Sequence, residues 1–166
     1  MPPEDFDDVL AANTDYAASF ALRGLAPVAA RGLAVVTCMD SRIEPLEMLG
    51  LKPGDAKIMR NAGARVTTDV LRTLALATHL LGVDRIMVVA HTQCKMASSS
   101  ADEVNTAILN SSGIDARSLD FHLVDDQTAT LAGDVQRIRS WPYLPSGVHV
   151  GGFIYDVDTG RLRRVS

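Results

Sequence analysis

Aromatic side chains are scarce in this 166-residue chain, with one Trp, three Tyr and four Phe making up 5% of it. Any core it builds is therefore aliphatic. The chain also lacks a basic excess: 16 Lys and Arg stand against 20 Asp and Glu, a net charge of -4. Nothing electrostatic draws such a chain to nucleic acid or to an anionic membrane surface, and neither is expected as a partner. No apolar run approaches the length of a bilayer span. The opening "MPPEDFDDVL" is acidic where a secretory leader would be basic and then apolar, so a cytoplasmic location is expected. Only two cysteines occur, Cys38 and Cys94. They allow at most one disulfide, and in a cytoplasmic chain thiols near histidine and carboxylate more often serve a metal or catalysis.

A hydrophobic content of 47% is that of an ordinary folded protein, and the length suits a single domain over residues 1–166. Helical and extended patterns alternate without internal repeats. Glu4 to Leu22 places Phe6, Val9, Leu10, Ala17, Phe20 and Ala21 at helical spacing, an N-terminal helical arm within residues 1–24. Leu33 to Thr37 and "RIMVVA" at Arg85 to Ala90 read as strands buried on both faces, with Ala56 to Met59 a weaker third. "TTDVLRTLALATHLLG" is a crossover helix capped by Thr67 or Thr68 and stopped by Gly82, with Val70, Leu71, Leu74 and Leu81 as its apolar stripe. Ser100 and Glu103 form a capping-box pattern for a helix that ends near Gly113. Thr128 to Ser140 reads as a further helix. Residues 111–126 read as a connection, and "GVHVGGFIYDVDTGRLRRV" as two strands joined at Asp158 to Gly160. The fold expected is α/β, a mostly parallel central sheet with an antiparallel edge hairpin and helices on both faces.

In such folds, sites lie beyond the carboxyl ends of the strands. Cys38 ends the first strand, in "AVVTCMDSRIEP", and His91 ends "RIMVVA", with Cys94 three residues on in "HTQC". If "HTQC" opens a helical turn, His91 and Cys94 share a direction. If "CMDSR" stays extended, Cys38, Asp40 and Arg42 share a face. Two thiolates, an imidazole and a carboxylate suit tetrahedral zinc. A purely structural zinc would need no arginine, whereas Arg42 can hold Asp40 in a two-point pair. Asp40 then either binds the metal or pairs with Arg42, and in the second case the metal keeps a position for water. A zinc-bound water titrates at roughly pH 7 against about 15.7 in bulk. Two thiolates cancel the ion's formal charge, which predicts a less acidic water and activity favoured at alkaline pH.

The C-x-D-x-R motif followed by H-x-x-C resembles the β-class carbonic anhydrases, particularly their short bacterial members. The resemblance runs from the acidic N-terminal helix through "RNAG" at Arg60 to Gly63 and on to "GGFIYDVDTG". It implies a zinc enzyme interconverting carbon dioxide and bicarbonate, assembled as a homodimer or homotetramer whose N-terminal helices pack on a partner chain. It makes Cys38, His91 and Cys94 permanent ligands, Asp40 the exchangeable ligand, Arg42 its partner, and Gly63 a position beside the substrate. Lys95 departs from the glycine that many members carry after the second cysteine, and bears on substrate and rate. Two other functions share these residues: hydrolysis of a sulfur analogue such as carbonyl sulfide on the same site, and a catalytically silent, zinc-stabilised binding protein. His79, His122 and His149 read as surface or edge residues. Met39 and Met96 adjoin ligands and are candidates to wall an apolar pocket.

Overall fold

A computed structural model describes residues 6–166. Its five strands are β1 (Leu33–Cys38), β2 (Ala56–Asn61), β3 (Arg85–His91), β4 (His149–Tyr155) and β5 (Leu162–Arg164). They form one sheet in the order β2-β1-β3-β4-β5. β1 runs parallel to β2 and to β3, β3 runs parallel to β4, and β5 closes the edge antiparallel to β4. The mostly parallel sheet and its edge hairpin are thus as expected. Every residue of β1 is buried, the pattern of a central strand covered on both faces.

Alternation along the strands divides the core. Ala34, Val36, Ile86, Val88, Val150 and Ile154 pack against one side's helices, α3 (Thr68–Leu80) and α5 (Gln127–Arg139). Leu33, Val35 and Val89 face the other way, toward Met48, Leu49 and Leu51 in and after the short helix α2 (Pro45–Met48). Each Val or Leu fully buried in these layers stabilises the fold by roughly 1.5–3 kcal/mol.

The helix signals work as physical chemistry requires. The Thr67 side chain accepts from the Val70 N–H to cap α3, whose buried stripe is Val70, Leu71, Leu74 and Ala77. Leu81 is only half-buried at the C-cap and does not extend that stripe. Helix α4 (Ala101–Ser112) opens on a complete Ser100–Glu103 capping box and closes on Gly113 in the left-handed conformation. The first helix, α1, spans Asp7–Ala18 and is shorter than the Glu4 to Leu22 pattern; Glu4 lies outside the described residues. None of its residues is buried, and Phe6, Val9, Leu10 and Phe20 are exposed. Its apolar stripe is therefore left open to solvent among the described residues.

The connection around residues 113–126 is held from a distance. Arg65 donates through Nε to Asp134 Oδ2 of α5 at 2.8 Å and through Nη1 to the His122 carbonyl at 2.7 Å. Asp134 is buried, and it also accepts from the Val66 N–H at 3.3 Å. Removing that carboxylate strands a largely covered guanidinium. Asp134→Ala is expected to cost roughly 2–4 kcal/mol of stability, read as a lowered midpoint in urea unfolding with an unchanged slope.

Candidate metal centre

The sheet order reverses between β1 and β3, because β2 lies on one side of β1 and the chain then crosses to the other. That switch point is where the carboxyl ends of two neighbouring strands leave room for a site. Cys38 is the last residue of β1 and His91 the last of β3.

Beyond Cys38 the chain does not stay extended. Asp40 Oδ1 accepts from the Arg42 backbone N–H at 2.9 Å, and the Ile43 N–H donates to the Asp40 carbonyl at 3.1 Å. This tight turn is anchored by fully buried Ile43. It is the turn, and not strand alternation, that folds Arg42 back onto Asp40: Nε reaches Oδ1 at 3.0 Å and Nη2 reaches Oδ2 at 2.8 Å. Arg60 secures the same loop, donating to the carbonyls of Cys38 at 3.0 Å and Asp40 at 2.7 Å.

"HTQC" forms no helical turn either. Gln93 takes a left-handed φ of 55° and Cys94 is extended, with a single 3-10 turn at Lys95–Ala97 after it. The reversal at Gln93 still returns Cys94 to His91. Cys38 Sγ, Cys94 Sγ and a ring nitrogen of His91 lie within 4.8 Å of one another, all three residues buried.

The donor chemistry of this cluster suits a metal ion. His91 Nδ1 donates to the Thr92 carbonyl at 2.8 Å, which leaves Nε2 with its lone pair, buried and without a hydrogen-bond partner. A buried nitrogen without a partner is costly unless something binds it. The Cys38 thiol is pulled well below its ordinary value, by the Cys94 thiol donating to it against the cost of burial, with help from His91 and the Gly63 N–H. The same contact, together with burial, pushes Cys94 up. The two thiols thus share one proton as a pair, and a cation would displace it. Burial is the largest influence on His91 and lowers its pKa, but the nearby Cys38 sulfur and its charge outweigh it and raise the net value. Asp40 Oδ2 stands 3.9 Å from His91 Nε2, and Arg42 holds that carboxyl well below the usual carboxylate range.

Gly63 belongs to the same cluster. Its N–H points at Cys38 Sγ, 3.4 Å away, and its φ is 81°. A Cβ there would come within 3.2 Å of Met96 Cβ. The Asn61 side chain clamps this loop by bonding both the N–H and the carbonyl of Arg65. Met96 packs beside Cys38 and Cys94, whereas Met39 is 62% exposed and walls nothing. Lys95 is exposed, and its charge helps lower the pKa of Glu103 on α4 after the bonds from Ser100. His79, His122 and His149 are exposed, as expected, and His122 has a left-handed φ of 52°. Gln127, which donates to the His91 carbonyl at 2.8 Å, and Gln93 were not among the expected site residues. Gln93 stood inside the H-x-x-C motif, but its spacing carries no ligand atom.

The model of the carbonic anhydrase family matches residues 33–117. The β-carbonic anhydrase 1 of Mycobacterium tuberculosis is 37% identical over 161 residues, covering 96% of this chain and 97% of that one. The chain belongs to the β-carbonic anhydrase family. Among solved structures, carbonic anhydrase from Streptococcus mutans superposes with a TM-score of 0.91 at 36% identity, covering 100% of both chains. Carbon disulfide hydrolase of Saccharolobus solfataricus is a more distant relative, 31% identical over 158 residues, covering 81% of this chain and 77% of that one. As a β-carbonic anhydrase the chain is an enzyme of a metal-dependent family, and Cys38, His91 and Cys94 could hold the ion.

Protons and a metal compete for His91 Nε2 and the two thiolates. Metal content is therefore expected to be full at alkaline pH and to fall as the solution is acidified, read as metal per chain after dialysis. Both thiols should react with a disulfide reagent in native protein only once the metal has been stripped by a chelator.

Proposed function

We propose that this chain catalyses the reversible hydration of carbon dioxide to bicarbonate with zinc as its metal. Cys38, His91 and Cys94 would hold the zinc, Asp40 and Arg42 would govern its fourth position, and Gly63 would border the substrate. The observation that carries this reading is the partnerless His91 Nε2 between two thiols, with an arginine-held carboxylate 3.9 Å away. Zinc at such a centre supplies a Lewis acid that brings the pKa of a water from about 15.7 toward roughly 7, so that hydroxide is available as a nucleophile.

The chain's own residues do the rest. Arg42 occupies both oxygens of Asp40 through a forked pair, which keeps the carboxylate ionised and would hold it off the metal. Ionised Asp40 can only accept a hydrogen bond, and so orients the attacking group by its proton. The Gly63 N–H steadies the Cys38 thiolate, and its missing side chain leaves space that Met96 would otherwise dispute. Two thiolates offset the metal's charge, so the rate should rise toward alkaline pH.

Hydrolysis of a sulfur analogue such as carbonyl sulfide is a second reading, favoured by the relatives named carbon disulfide hydrolase. Hydration of carbon dioxide fits better, because the relative named β-carbonic anhydrase matches over 96% of the chain against 81%. Two unpaired buried cysteines suit the reducing cytoplasm, and no helix among the described residues is long and apolar enough to cross a membrane. We place the uncovered apolar stripe of α1 against a second copy of the chain, in a homodimer or homotetramer.

Stopped-flow hydration of carbon dioxide between about pH 7 and pH 9, on protein carrying one zinc per chain, should give a rate that rises with pH. Chelation should abolish it, and Asp40→Asn should lower it roughly 100-fold with zinc retained. No rate at any pH with zinc in place would sink the proposal. Leu10→Asp, which puts a charge on the α1 stripe, should shift the assembly toward monomer in analytical ultracentrifugation.

A further inference from the structure

Arg42 carries the pairing with Asp40, yet its side chain is 45% exposed. An arginine that exposed, tied to one carboxylate, ordinarily gains little from the pair and samples other rotamers. Here the opposite side of the guanidinium is also occupied. Nη1 donates to Gln93 Oε1 at 3.0 Å, and Nη2 donates to the Gln93 carbonyl at 3.3 Å. Gln93 is fixed in turn by its own amide, because Nε2 donates to Asp158 Oδ2 at 2.6 Å.

Asp158 lies in the turn between β4 and β5, where its N–H donates to Asp156 Oδ1 at 2.9 Å. The turn is tied to the H-x-x-C loop by the Thr92 N–H to the Tyr155 carbonyl at 2.9 Å and the Val157 N–H to Thr92 Oγ1 at 3.1 Å. The chain of contacts thus runs from the edge hairpin through Gln93 and Arg42 to Asp40.

The residue type matters. A guanidinium only donates and a carboxylate only accepts, so a bridge between them must offer an acceptor at one end and a donor at the other. A glutamine amide does this in a single orientation. A glutamate would face Asp158 with a like charge, and a lysine would face Arg42 with one. The left-handed backbone of Gln93, unfavourable for any residue with a Cβ, is what aims both its carbonyl and its side chain at Arg42.

We propose that Gln93, braced by Asp158, is a positioning residue that holds Arg42 in the rotamer that draws Asp40 away from the metal. This rests on the functional reading above, in which Asp40 exchanges between the metal and Arg42. Loosening Arg42 shifts Asp40 toward the metal and closes the fourth position to other ligands.

The test is a calorimetric titration of the zinc-loaded protein with azide, an anion that needs the open position, at one pH of about 8, beside kcat/KM for carbon dioxide. Gln93→Ala is expected to keep its zinc and to bind azide about tenfold more weakly, the order of effect of a lost hydrogen bond to a charged group. Asp158→Ala, in an exposed turn, should weaken azide in the same direction, and Asp158→Asn, which keeps an acceptor oxygen, should lose less. In an Arg42→Ala background, Gln93→Ala should add nothing. Unchanged azide affinity in both Gln93→Ala and Asp158→Ala, with zinc intact, overturns the proposal. So does a loss from Gln93→Ala that persists without Arg42, since that would be a general effect on the loop. If the unsubstituted protein binds azide and shows this pattern but hydrates no carbon dioxide, the assigned reaction falls while the role of Gln93 stands. If it binds no azide at all, both fall.

Discussion

The parallel pairing of β1 with β3 brings Cys38 and His91 to the ends of neighbouring strands, with Thr37 registered opposite Val89. Both strands are buried on both faces, so neither can slip by a residue without sending a whole row of aliphatic side chains to the wrong layer. The register is thus held by the core. A sulfur and an imidazole placed by it inherit the core's rigidity, and only Cys94 has to be brought in by a loop. The left-handed turn at Gln93 does that, and the edge hairpin holds the turn.

Around this frame hydrogen bonds fix the orientation of the polar groups at the centre. His91 donates through Nδ1 to the Thr92 carbonyl, which keeps Nε2 available, and Gln127 fixes the His91 carbonyl. The Gly63 N–H steadies Cys38 Sγ, and Arg42 takes up both oxygens of Asp40. Bringing two thiols and an imidazole together in a buried place is unfavourable in an empty site, since they compete for protons. A metal ion turns that cost into binding energy, because it binds the deprotonated forms. The same arrangement ties the integrity of the centre to pH: acid returns protons to all three ligands.

Much of the frame was legible in the sequence because its signals are local. The β-branched runs marked β1 and β3, Thr67 and the Ser100–Glu103 box marked two helix starts, and strand-end placement singled out Cys38, Asp40, Arg42, His91 and Cys94. What failed was local geometry beyond a strand end. An extended "CMDSR" and a helical "HTQC" were both reasonable from residue type, but turns built on the Asp40 side chain and on Gln93 replaced them. The Arg65–Asp134 pair, 69 residues apart, and the bridge from Arg42 to Asp158 leave no periodic trace. The stripe on α1 was visible, yet sequence alone did not show that it stays exposed among the described residues.

The central claim is that two strand ends and one loop make a Cys38–His91–Cys94 centre whose fourth position is set by the partner Asp40 chooses. The most direct measurement is a crystal structure of the zinc-loaded protein at about pH 8.5, with the metal located by anomalous scattering. Zinc should lie on those three side chains, with a solvent ligand in fourth place and Asp40 forked on Arg42. Asp40 bound to the metal at that pH with Arg42 turned away, or a metal held by other residues, would contradict it.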